Sequence, residues 1–414
     1  MTQYRIGMLG VILILAIACQ QTDTIDTTQH PFPKDTLSIG LVDSMYQISR
    51  KGKLKTAPKL QEIYTFTELD TFGFPIVSHQ LLYGLKQQRR ILKYRKQRYN
   101  YQVGNLQINI DQLDSVITIL EKWQHIMPIG IHEELVAHQI KGKDKRGNVK
   151  FTGYFTPIIR VNKRKTRRYP YPIYGRPIRW EGPMPSRKEI ELGALDSVKQ
   201  VLAYARSKVD IYYMQLQGSG FAEYPNGERQ LFSYHSSNGH PYRSIETFLA
   251  KHSKKMDLSD VSMDGVKRFL KRRPELVDSV LNQNPSYPFF QRKGKLPRGS
   301  GQVPLTEELS IAVDPRYVPV GSCFLAAVPL VDKRDDVIGH EYKILLAQDV
   351  GGAIRGAGHV DFYFGTGAKA RKKAKNFNAY GRLWLLLPKE YPDPTALQEA
   401  ITETALVQYE QRRI

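Results

Sequence analysis

The sequence predicts a protein of mixed α and β class in which β structure dominates the second half of the chain. Apolar residues at helical spacing mark two early segments, from Leu81 to Leu92 and from Leu113 to Trp123. Beyond Val149 the pattern changes to alternating stretches rich in β-branched and aromatic residues, which is typical of strands. The β-rich middle portion interrupts the larger part, so we expect it to be an inserted domain.

Capping and charge patterns extend the interpretation of the helices. Ser78 is placed to cap the first helix, and a basic run from Lys86 to Arg98 follows on its outer face. Such a run is typical of a solvated helix surface, and a specific binding patch is the alternative. The polar C-terminal segment from Pro394 to Ile414 predicts a further, amphipathic helix.

The middle portion combines strand, loop and helix signals. Val149 to Val161 predicts a strand, and the basic, proline-rich stretch from Asn162 to Trp180 predicts a long exposed loop at a domain boundary. Ile211 to Gln217 alternates and predicts another strand, which ends at Gly218-Ser219-Gly220. Short helices are expected around residues 245–251, 265–271 and 276–281, followed by a turn over 284–291.

The portion after Pro304 is a series of apolar segments separated by short turns. The segments are SIAVDP, GSCFLAAVPL, YKILLAQDV, HVDFYFG and RLWLLLP. Each segment is short, apolar and bounded by turn residues, so we expect each to form a strand.

The N-terminus predicts export. Arg5 precedes an apolar run from Ile6 to Ala18, which has the length of a signal-peptide core and is too short to span a bilayer. The run ends in Ala-Ile-Ala before Cys19 and resembles the lipobox of bacterial lipoproteins, in which the cysteine becomes the diacylated first residue. An ordinary cleaved signal with an incidental cysteine is the alternative.

We therefore expect residues 1–18 to be a signal peptide and residues 19–36, which are polar and threonine-rich, to be a lipidated tether. Acyl chains on Cys19 would anchor the protein stably to a membrane. Gln20 stands in place of the aspartate that favours inner-membrane retention, so the expected location is the bacterial outer membrane, facing the periplasm. Cys323 would then be a lone buried thiol.

The formal net charge of +21 predicts attraction to an anionic partner, which could be nucleic acid, lipid headgroups or an acidic polymer. Basic clusters at Lys141 to Arg146 and at Lys163 to Arg168 could contact phosphates. However, the sequence contains no recognisable nucleic-acid-binding module, and export keeps the chain away from cytoplasmic nucleic acid. We therefore expect no nucleic-acid partner and assign the basic surface to headgroups or the acidic cell wall.

The segment from Ala347 to Gly367 carries the pattern that points most directly to chemistry. Aspartate is disfavoured inside strands, yet Asp361 lies within an apolar strand pattern. Because successive strand residues alternate between faces, the neighbouring valine and phenylalanines share one face, while Asp361 and Tyr363 share the other. The first face fits a core, and the second fits a cleft.

Asp349 and Asp314 also end apolar segments. The glycine-rich stretch GGAIRGAG separates Asp349 from Asp361, and only a turn around Gly356 to Gly358 can return Asp361 towards Asp349. The three aspartates could therefore converge on one site. Asp314 precedes a proline, so its simpler interpretation is the start of a turn.

Six motifs follow one another along the chain: GYFTP, QLQGSG, NGHPY, SIAVDP, AQDVGGAIRG and HVDFYFGTG. With these motifs in this order, the chain resembles the membrane-bound lytic transglycosylase A family of murein-degrading enzymes over roughly residues 149–388. The resemblance implies a double-psi β-barrel domain formed by residues 37–160 together with 292–414. The resemblance also implies that a smaller barrel domain, residues 161–291, is inserted into it and that the glycan lies in a groove between the two.

The same resemblance implies roles for individual residues. Asp361 matches the family's catalytic aspartate, with Asp349 and Asp314 as supporting aspartates. Further residues are candidates for substrate binding, by their motifs or by their position beside Asp361. They are Thr156, Gln217, Ser219 and Tyr363.

The family's reaction needs a single acid–base carboxyl. Protonated Asp361 would give its proton to the glycosidic oxygen between N-acetylmuramic acid and N-acetylglucosamine, and the muramoyl C6 hydroxyl would close a 1,6-anhydro ring. Asp361 must then hold a proton near neutral pH, for which burial beside Phe362 and Phe364 and the charge of Asp349 are physical causes. The expected partner is the peptidoglycan glycan strand. No cofactor or metal is expected, because the ten histidines show no ligand spacing.

Other functions fit parts of the sequence. A barrel that binds the cell wall without cutting it is the main alternative, and the retained Asp361 argues against it. A serine hydrolase built on Gly218-Ser219-Gly220 is disfavoured because Gln217 stands where a nucleophile elbow needs glycine. His359 is interpreted as a structural histidine rather than a base or a ligand. The sequence does not indicate which protein partners act with the chain in wall remodelling.

Overall fold

The structure, a computed structural model, describes residues 63–389 except for 68–73, 95–99, 104–105, 124–130, 143, 257, 259, 333–335 and 376. The predicted signal peptide, the tether with Cys19 and the predicted helix over 394–414 lie outside the described residues. The described part of the chain forms two β domains with helices packed beside them.

The elements follow one another in three groups along the chain. The first group is β1 (Tyr64–Thr67), α1 (His79–Tyr94), β2 (Asn100–Val103), β3 (Leu106–Asn109), α2 (Ile110–Lys122), α3 (Ile131–Glu134), β4 (Leu135–Ile140) and β5 (Val149–Thr156). The second is β6 (Ile158–Asn162), β7 (Tyr171–Gly175), α4 (Arg187–Glu191), β8 (Gln200–Ala205), α5 (Lys208–Leu216), β9 (Ser219–Glu223), β10 (Arg229–Ser237), α6 (Ile245–Met256), α7 (Met263–Arg272), a 3-10 turn (Pro274–Leu276), α8 (Val277–Leu281) and β11 (Pro288–Arg292). The third is β12 (Ser310–Val313), β13 (Cys323–Val331), β14 (Val337–Val350), β15 (His359–Thr366), α9 (Gly367–Ala374) and β16 (Asn378–Pro388).

The main domain is a sheet of eight strands in the order β1-β4-β16-β13-β14-β12-β15-β5. An additional pairing of β16 with β5 closes the strands from β16 to β5 into a ring and leaves β4 and β1 as an extension. The core packed on these strands includes Phe151, Phe324, Leu345 and Trp384, all fully buried. The predicted mixed class, mainly β, is confirmed.

The middle portion forms a closed barrel of six strands in the order β10-β11-β7-β8-β6-β9. The chain enters this barrel at Pro157, between β5 and β6, and leaves it after β11. Ile173, Ala203 and Phe232 belong to its own apolar core. Helices α5 to α8 pack together in a separate apolar cluster. A second β-barrel within a larger β domain agrees with the expected fold class.

An ion-pair cluster joins the two domains. Asp264 on α7 of the inserted domain accepts a hydrogen bond from Arg371 on α9 of the main domain, and lies 3.5 Å from Nζ of Lys375. Met263, beside it, packs against the core of the main domain. Because α9 packs on β5 and β15, these contacts help to fix the inserted domain next to those strands.

Helix α1 begins at its predicted cap. The Ser78 Oγ accepts a hydrogen bond from the Leu81 amide at 3.1 Å. Arg89, within the predicted basic face, donates to Asp114 and Glu121 of α2 at 3.0 and 2.7 Å. Part of the basic face of α1 therefore forms ion pairs that hold α1 against α2.

The strand predicted over residues 211–217 is wrong, because most of this segment lies in α5. The Ser207 Oγ accepts a hydrogen bond from the Asp210 amide at 3.3 Å and caps that helix. Residues 211–215 are all buried. A segment buried on every side has no apolar periodicity, so the sequence could not separate helix from strand.

The loop predicted over residues 162–180 is wrong in part. It contains β7, which pairs with β8 on one side and with β11 on the other. Its prolines are typical of a loop. However, the barrel closes only if β7 pairs with both β8 and β11, so this part of the segment is a strand. Likewise, the turn predicted over residues 284–291 ends at Pro288, where β11 begins.

Gly381 on β16 provides a test of the packing of the main domain. A Cβ atom at this position would lie 2.2 Å from the backbone carbonyl oxygen of Ala327 on β13, and backbone cannot yield as a flexible side chain can. We expect Gly381→Ala to lower the free energy of unfolding by about 2 kcal/mol or more, as overpacked interiors do. Denaturant unfolding followed by tryptophan fluorescence measures the change.

Gly339→Ala on β14 is the matched control, because a Cβ atom there would meet nothing within 4 Å. It should change the free energy of unfolding by less than about 0.5 kcal/mol. Equal effects of the two substitutions would contradict the packing of β16 on β13.

Candidate active site

Asp349 and Asp361 lie on either side of one short strand. Asp349 on β14 and Asp361 on β15 both pair with Ala312 of β12, which runs between the two longer strands. Neighbouring strands are about 4.8 Å apart, so the two aspartate Cα atoms are separated by about 10 Å. Residues paired across strands share a face of the sheet, so both carboxyls project to the same side.

Asp349, Ala312 and Asp361 lie side by side across three strands and form what we call the carboxyl row. A β-bulge in β14 brings Asp349 into this row. The pairing of β14 with β12 shifts by one residue just before Ala312, which leaves Gln348 as the extra residue. Gln348 is buried, accepts a hydrogen bond from the Ser310 hydroxyl at 2.6 Å, and donates to the Gly84 carbonyl of α1 at 3.3 Å. Without the extra residue, Asp349 would pair one position further along β12.

Asp314 holds the loop between the two aspartates. Gly356 in this loop has a φ of 80°, which favours glycine, and its amide donates to the Asp314 carboxylate at 2.8 Å. Asp314 is buried and also accepts hydrogen bonds from the amide and guanidinium of Arg316. Burial raises the pKa of Asp314, but these hydrogen bonds and the Arg316 charge outweigh it and hold the pKa at about 2. Within the described residues, Asp314 makes no hydrogen bond with Asp349 or Asp361.

The two faces of β15 differ as predicted. The valine and both phenylalanines around Asp361 are buried in the core of the main domain. Asp361 itself is partly buried on the other face. On that face, Tyr363 packs with Tyr154 and Ala312, and the two tyrosine ring centroids are 5.1 Å apart. The carboxyl row therefore has an aromatic wall beside it.

The surroundings of Asp361 favour a protonated carboxyl near neutral pH. Burial raises the pKa of Asp361, and the hydrogen bond from the Thr152 hydroxyl to Oδ1, at 2.8 Å, lowers it. The negative charge of Asp349 raises the pKa of Asp361, while the positive charge of Lys150 lowers it. The balance leaves this pKa at about 7, where a carboxyl can both give and take a proton.

Asp349, in contrast, is bound by protein donors. Its Oδ1 accepts hydrogen bonds from the amides of Ser300 and Val350, both at 2.8 Å. Its Oδ2 accepts the Tyr154 hydroxyl at 3.1 Å. Burial raises the pKa of Asp349 above its ordinary value, and these hydrogen bonds reduce the rise without cancelling it. A carboxyl held by three protein donors has little capacity left to orient a water molecule.

The predicted substrate-binding residues gather around the end of β5, where the chain crosses between the domains. The Thr156 hydroxyl is 2.9 Å from the Tyr363 hydroxyl, which links β5 to the strand of Asp361. Gln217 ends α5, and its Oε1 accepts the Phe155 amide at 2.9 Å. Ser219 begins β9 and is buried. The structure thus brings all of these residues to one junction.

Sequence reasoning does not find three residues of the site. Tyr154 belongs to a motif that the sequence provides, but its contact with Asp349 depends on the fold. Thr152 lies opposite Asp361 in the neighbouring parallel strand. His359, interpreted as structural, has its Nε2 3.0 Å from the Thr152 hydroxyl, although the two residues are 207 positions apart. Pairing over such a distance leaves no local signal.

The described residues contain no group of three or more His, Cys, Asp and Glu side chains that is arranged to hold a metal ion. Asp361 can transfer a proton, and it has a second carboxyl, Asp349, and an aromatic wall beside it. Such a constellation suits acid–base cleavage of a glycosidic bond.

Two protein families match parts of the chain. The MltA specific insert domain matches residues 150–291, and the 3D domain matches residues 309–387. Membrane-bound lytic murein transglycosylase A of Escherichia coli (strain K12) is 41% identical over 254 residues, which make up 60% of this chain and 68% of that protein. A homolog from Buchnera aphidicola is 39% identical over 285 residues, 67% of this chain and 76% of its own.

Solved structures share the fold. The crystal structure of E. coli MltA with bound chitohexaose has a TM-score of 0.67 at 30% identity, covering 83% of this chain and 98% of that one. The membrane-bound lytic murein transglycosylase from Agrobacterium tumefaciens has a TM-score of 0.62 at 26% identity, covering 73% of this chain and 92% of its own. The chain therefore belongs to the membrane-bound lytic murein transglycosylase A family and is an enzyme of the lytic transglycosylase class.

Proposed function

We propose that this protein cleaves the β-1,4 bond between N-acetylmuramic acid and N-acetylglucosamine in the glycan strands of peptidoglycan, leaving a 1,6-anhydromuramoyl end. Asp361 is the catalytic residue, first as general acid and then as general base. Homology to lytic murein transglycosylases supports the substrate class. The chitohexaose bound to the E. coli relative supports a glycan as the ligand of the site.

The observation that carries the proposal is the unequal environment of the two carboxyls in one row. Asp361 receives one hydrogen bond, from Thr152, and its pKa lies at about 7. Asp349 receives three, from two amides and a tyrosine hydroxyl. When two neighbouring carboxyls have such different surroundings, the one that holds its proton more readily near neutral pH acts as the acid. Here that carboxyl is Asp361.

Hydrolysis by a carboxyl pair requires the second carboxyl to attack or to activate a water molecule. Asp349 is poorly suited to either task because its oxygens already accept hydrogen bonds from the protein. The C6 hydroxyl of the muramoyl residue can replace the water. It is tethered to the reacting carbon, so its high effective concentration compensates for the missing second base.

The reaction then has two proton transfers through one residue. Asp361 gives its proton to the glycosidic oxygen while the bond from that oxygen to C1 of the muramoyl residue breaks. The C6 oxygen attacks C1, and the proton of the C6 hydroxyl passes to the Asp361 carboxylate. No water is consumed, and Asp361 ends protonated as it began.

The polar residues at the domain junction would hold the sugar. Tyr363 and Tyr154 form the aromatic wall beside Asp361, and both are buried, so they support the site from beneath rather than offer a ring face to the sugar. Thr156, Gln217 and Ser219 lie at the junction of β5 with α5 and β9, where the Gln217 Oε1 accepts the Phe155 amide and the Thr156 hydroxyl bonds Tyr363.

We further propose that Cys19 carries the lipid that anchors the enzyme in the outer membrane, facing the periplasm. The lipobox-like sequence before Cys19 supports the anchor, and the names of the relatives support association with a membrane. None of the helices in the described ranges is long and apolar enough to cross a membrane.

Replacing the two aspartates one at a time tests their roles. We expect Asp361→Asn to lower kcat by about 10³-fold or more, because an amide cannot donate the carboxyl proton. Asp349→Asn should lower kcat by only about 10-fold, the equivalent of about one pKa unit of the acid. Mass spectrometry of muropeptides released from purified murein measures the rate, and anhydro products are lighter by one water.

Asp278→Asn is the control for this experiment, since Asp278 is exposed on α8 of the inserted domain, where it pairs with Lys208 of α5 and not with any residue of the row. It should leave the rate unchanged. Equal losses in the two active-site variants would refute the division of roles, and reducing-end products would refute the transglycosylase reaction.

The pH dependence tests the proton-donor role. Because Asp361 must be protonated in the free enzyme, kcat/KM should fall as the pH rises through about 7. Asp349→Asn removes a negative charge that raises the pKa of Asp361, so the alkaline limb should move to lower pH. Initial rates on soluble glycan strands are measured between about pH 4 and pH 9, at about every half pH unit. These rates define the alkaline limb of the kcat/KM profile. A limb that stays in place or moves upward would contradict this role.

Stability should change with pH in the opposite sense to an ordinary carboxylate. The pKa of Asp361 is raised above its unfolded value, so its favourable contribution is complete below about 3.9 and is lost as the pH rises through about 7. We expect Asp361→Asn to unfold at a higher denaturant concentration than wild type at pH 8, with little difference at pH 4. Equal midpoints at both pH values would show that Asp361 ionises freely in the folded protein.

A further inference from the structure

We propose that Thr152 and His359 are positioning residues that act as a pair, fixing the Asp361 carboxyl so that its transferable proton is carried on Oδ2. This inference rests on the proposed role of Asp361 and adds to it the oxygen that exchanges the proton.

The pairing of β5 with β15 places the three side chains in one line. The strands are parallel, with Lys150 opposite His359 and Thr152 opposite Asp361. His359 and Asp361 are two residues apart on β15, so their side chains share a face of the strand. The Thr152 Oγ1 lies between them, 3.0 Å from His359 Nε2 and 2.8 Å from Asp361 Oδ1.

The direction of the Thr152–Asp361 hydrogen bond decides how this line is bonded, because the Thr152 hydroxyl donates to Asp361 Oδ1. A threonine hydroxyl has one hydrogen to donate and can accept in return. When the proton of the neutral His359 ring is on Nε2, the ring donates to Thr152, and the threonine hydrogen is directed to Asp361 Oδ1. The Val360 carbonyl, at 3.5 Å from the same hydroxyl, is a more distant alternative acceptor. Oδ1 is then an acceptor, so the proton of a neutral carboxyl resides on Oδ2.

The opposite arrangement would be unproductive. If Nε2 carried no proton, Thr152 would donate to His359, and the carboxyl would donate from Oδ1 to Thr152. The acid proton would then be bound within the protein. Among the described residues, Asp361 Oδ2 has no hydrogen-bond partner, which leaves this oxygen available to a substrate. His359 thus determines which carboxyl oxygen carries the proton.

Other titratable groups near Asp361 are engaged differently. The Tyr154 hydroxyl donates to Asp349, and the Tyr363 hydroxyl bonds Thr156. Asp349 on β14 and Lys150 on β5 act on Asp361 through their charges. Within the described residues, only the Thr152 hydroxyl makes a hydrogen bond to the Asp361 side chain, and His359 is bonded to that hydroxyl.

The same geometry serves both halves of the reaction. Once Oδ2 has given its proton to the glycosidic oxygen, Asp361 is a carboxylate, and the Thr152 hydrogen bond to Oδ1 stabilises that charge. Oδ2 then takes the proton of the C6 hydroxyl. One oxygen donates and later accepts, so the carboxyl does not need to rotate between the steps.

Substitutions at Thr152 and His359 test the pair. Thr152→Val keeps the shape and removes the hydroxyl, whereas Thr152→Ser keeps the hydroxyl. We expect Thr152→Val to lower kcat by about 10- to 100-fold, the range of a general-acid contribution that is partly lost, with KM little changed. Its alkaline pH limb should move upward, because the hydrogen bond to the charged carboxylate is lost. Thr152→Ser should restore most of kcat and the position of the limb.

His359 is tested by a matched couple of variants. His359→Gln retains an amide that can donate to Thr152, whereas His359→Leu retains only bulk. His359→Leu should lower kcat and His359→Gln should lower it less. In a double-variant cycle, adding His359→Leu to Thr152→Val should cause no further loss, because the histidine acts only through the hydroxyl. If each substitution merely damaged the structure, the fold losses of kcat in the two single variants would instead multiply in the double variant.

Several outcomes would overturn the inference. A Thr152→Val enzyme with wild-type kcat and pH limb, beside an inactive Asp361→Asn enzyme, would refute it and leave the proposed function intact. Losses that multiply in the double variant would refute the pairing. An active Asp361→Asn enzyme would refute both. Thermal unfolding checks each variant; if Thr152→Val does not fold, the comparison of His359→Leu with His359→Gln decides.

Discussion

The pairing of one alanine with two aspartates is the constraint on which the candidate site depends. Because Ala312 of β12 pairs with Asp349 on one side and Asp361 on the other, the backbone fixes the separation of the two carboxyls. The small alanine side chain leaves room above β12, and the rings of Tyr154 and Tyr363 pack there. A larger residue at this position would displace the aromatic wall from the carboxyls.

Contacts from neighbouring strands, loops and helix α1 hold the carboxyl row in place. The bulge at Gln348 sets the register of Asp349 and ties β14 to α1. Asp314 holds the connecting loop through the Gly356 amide. The three aspartates thus differ in their contacts: Asp314 holds the backbone of the connecting loop, Asp349 is fixed by three hydrogen bonds, and Asp361 is the one left with an unbonded oxygen among the described residues.

Environment rather than residue type separates Asp361 from Asp349. Both lie in the same row and both are partly buried, but they differ in the number of hydrogen bonds that they receive. Each donor favours the carboxylate and burial favours the neutral acid, so the carboxyl with the fewer donors, Asp361, is the better proton donor. The proposed mechanism follows from this difference, since the acid must be neutral before the reaction and charged during it.

Local patterns predicted much of this site. The alternation around Asp361 was sufficient to place the phenylalanines in the core and the carboxyl on the opposite face of β15, and Ser78 correctly marked the start of α1. Physical reasoning from the sequence also gave burial and a neighbouring charge as causes for a raised pKa of Asp361. Both contribute in the structure.

Nonlocal pairing accounts for what the sequence did not reveal. Strand β12 lies between the two aspartate strands, and no local signal indicates that it pairs with both. Thr152 and His359 meet only because β5 runs parallel to β15. The segment that became α5 is buried on every side, so its helical period was invisible. Each of these features is decided by tertiary closure of the barrels.

The titration of the Asp361 carboxyl is the measurement that tests the proposed mechanism most directly. Carbon-13 NMR of protein labelled at the aspartate side-chain carboxyl, with the Asp361→Asn spectrum for assignment, follows this group alone. The structure predicts a midpoint at about 7 for Asp361. A midpoint near the ordinary value of about 3.9 would mean that Asp361 is a carboxylate at neutral pH, which would contradict its role as the proton donor.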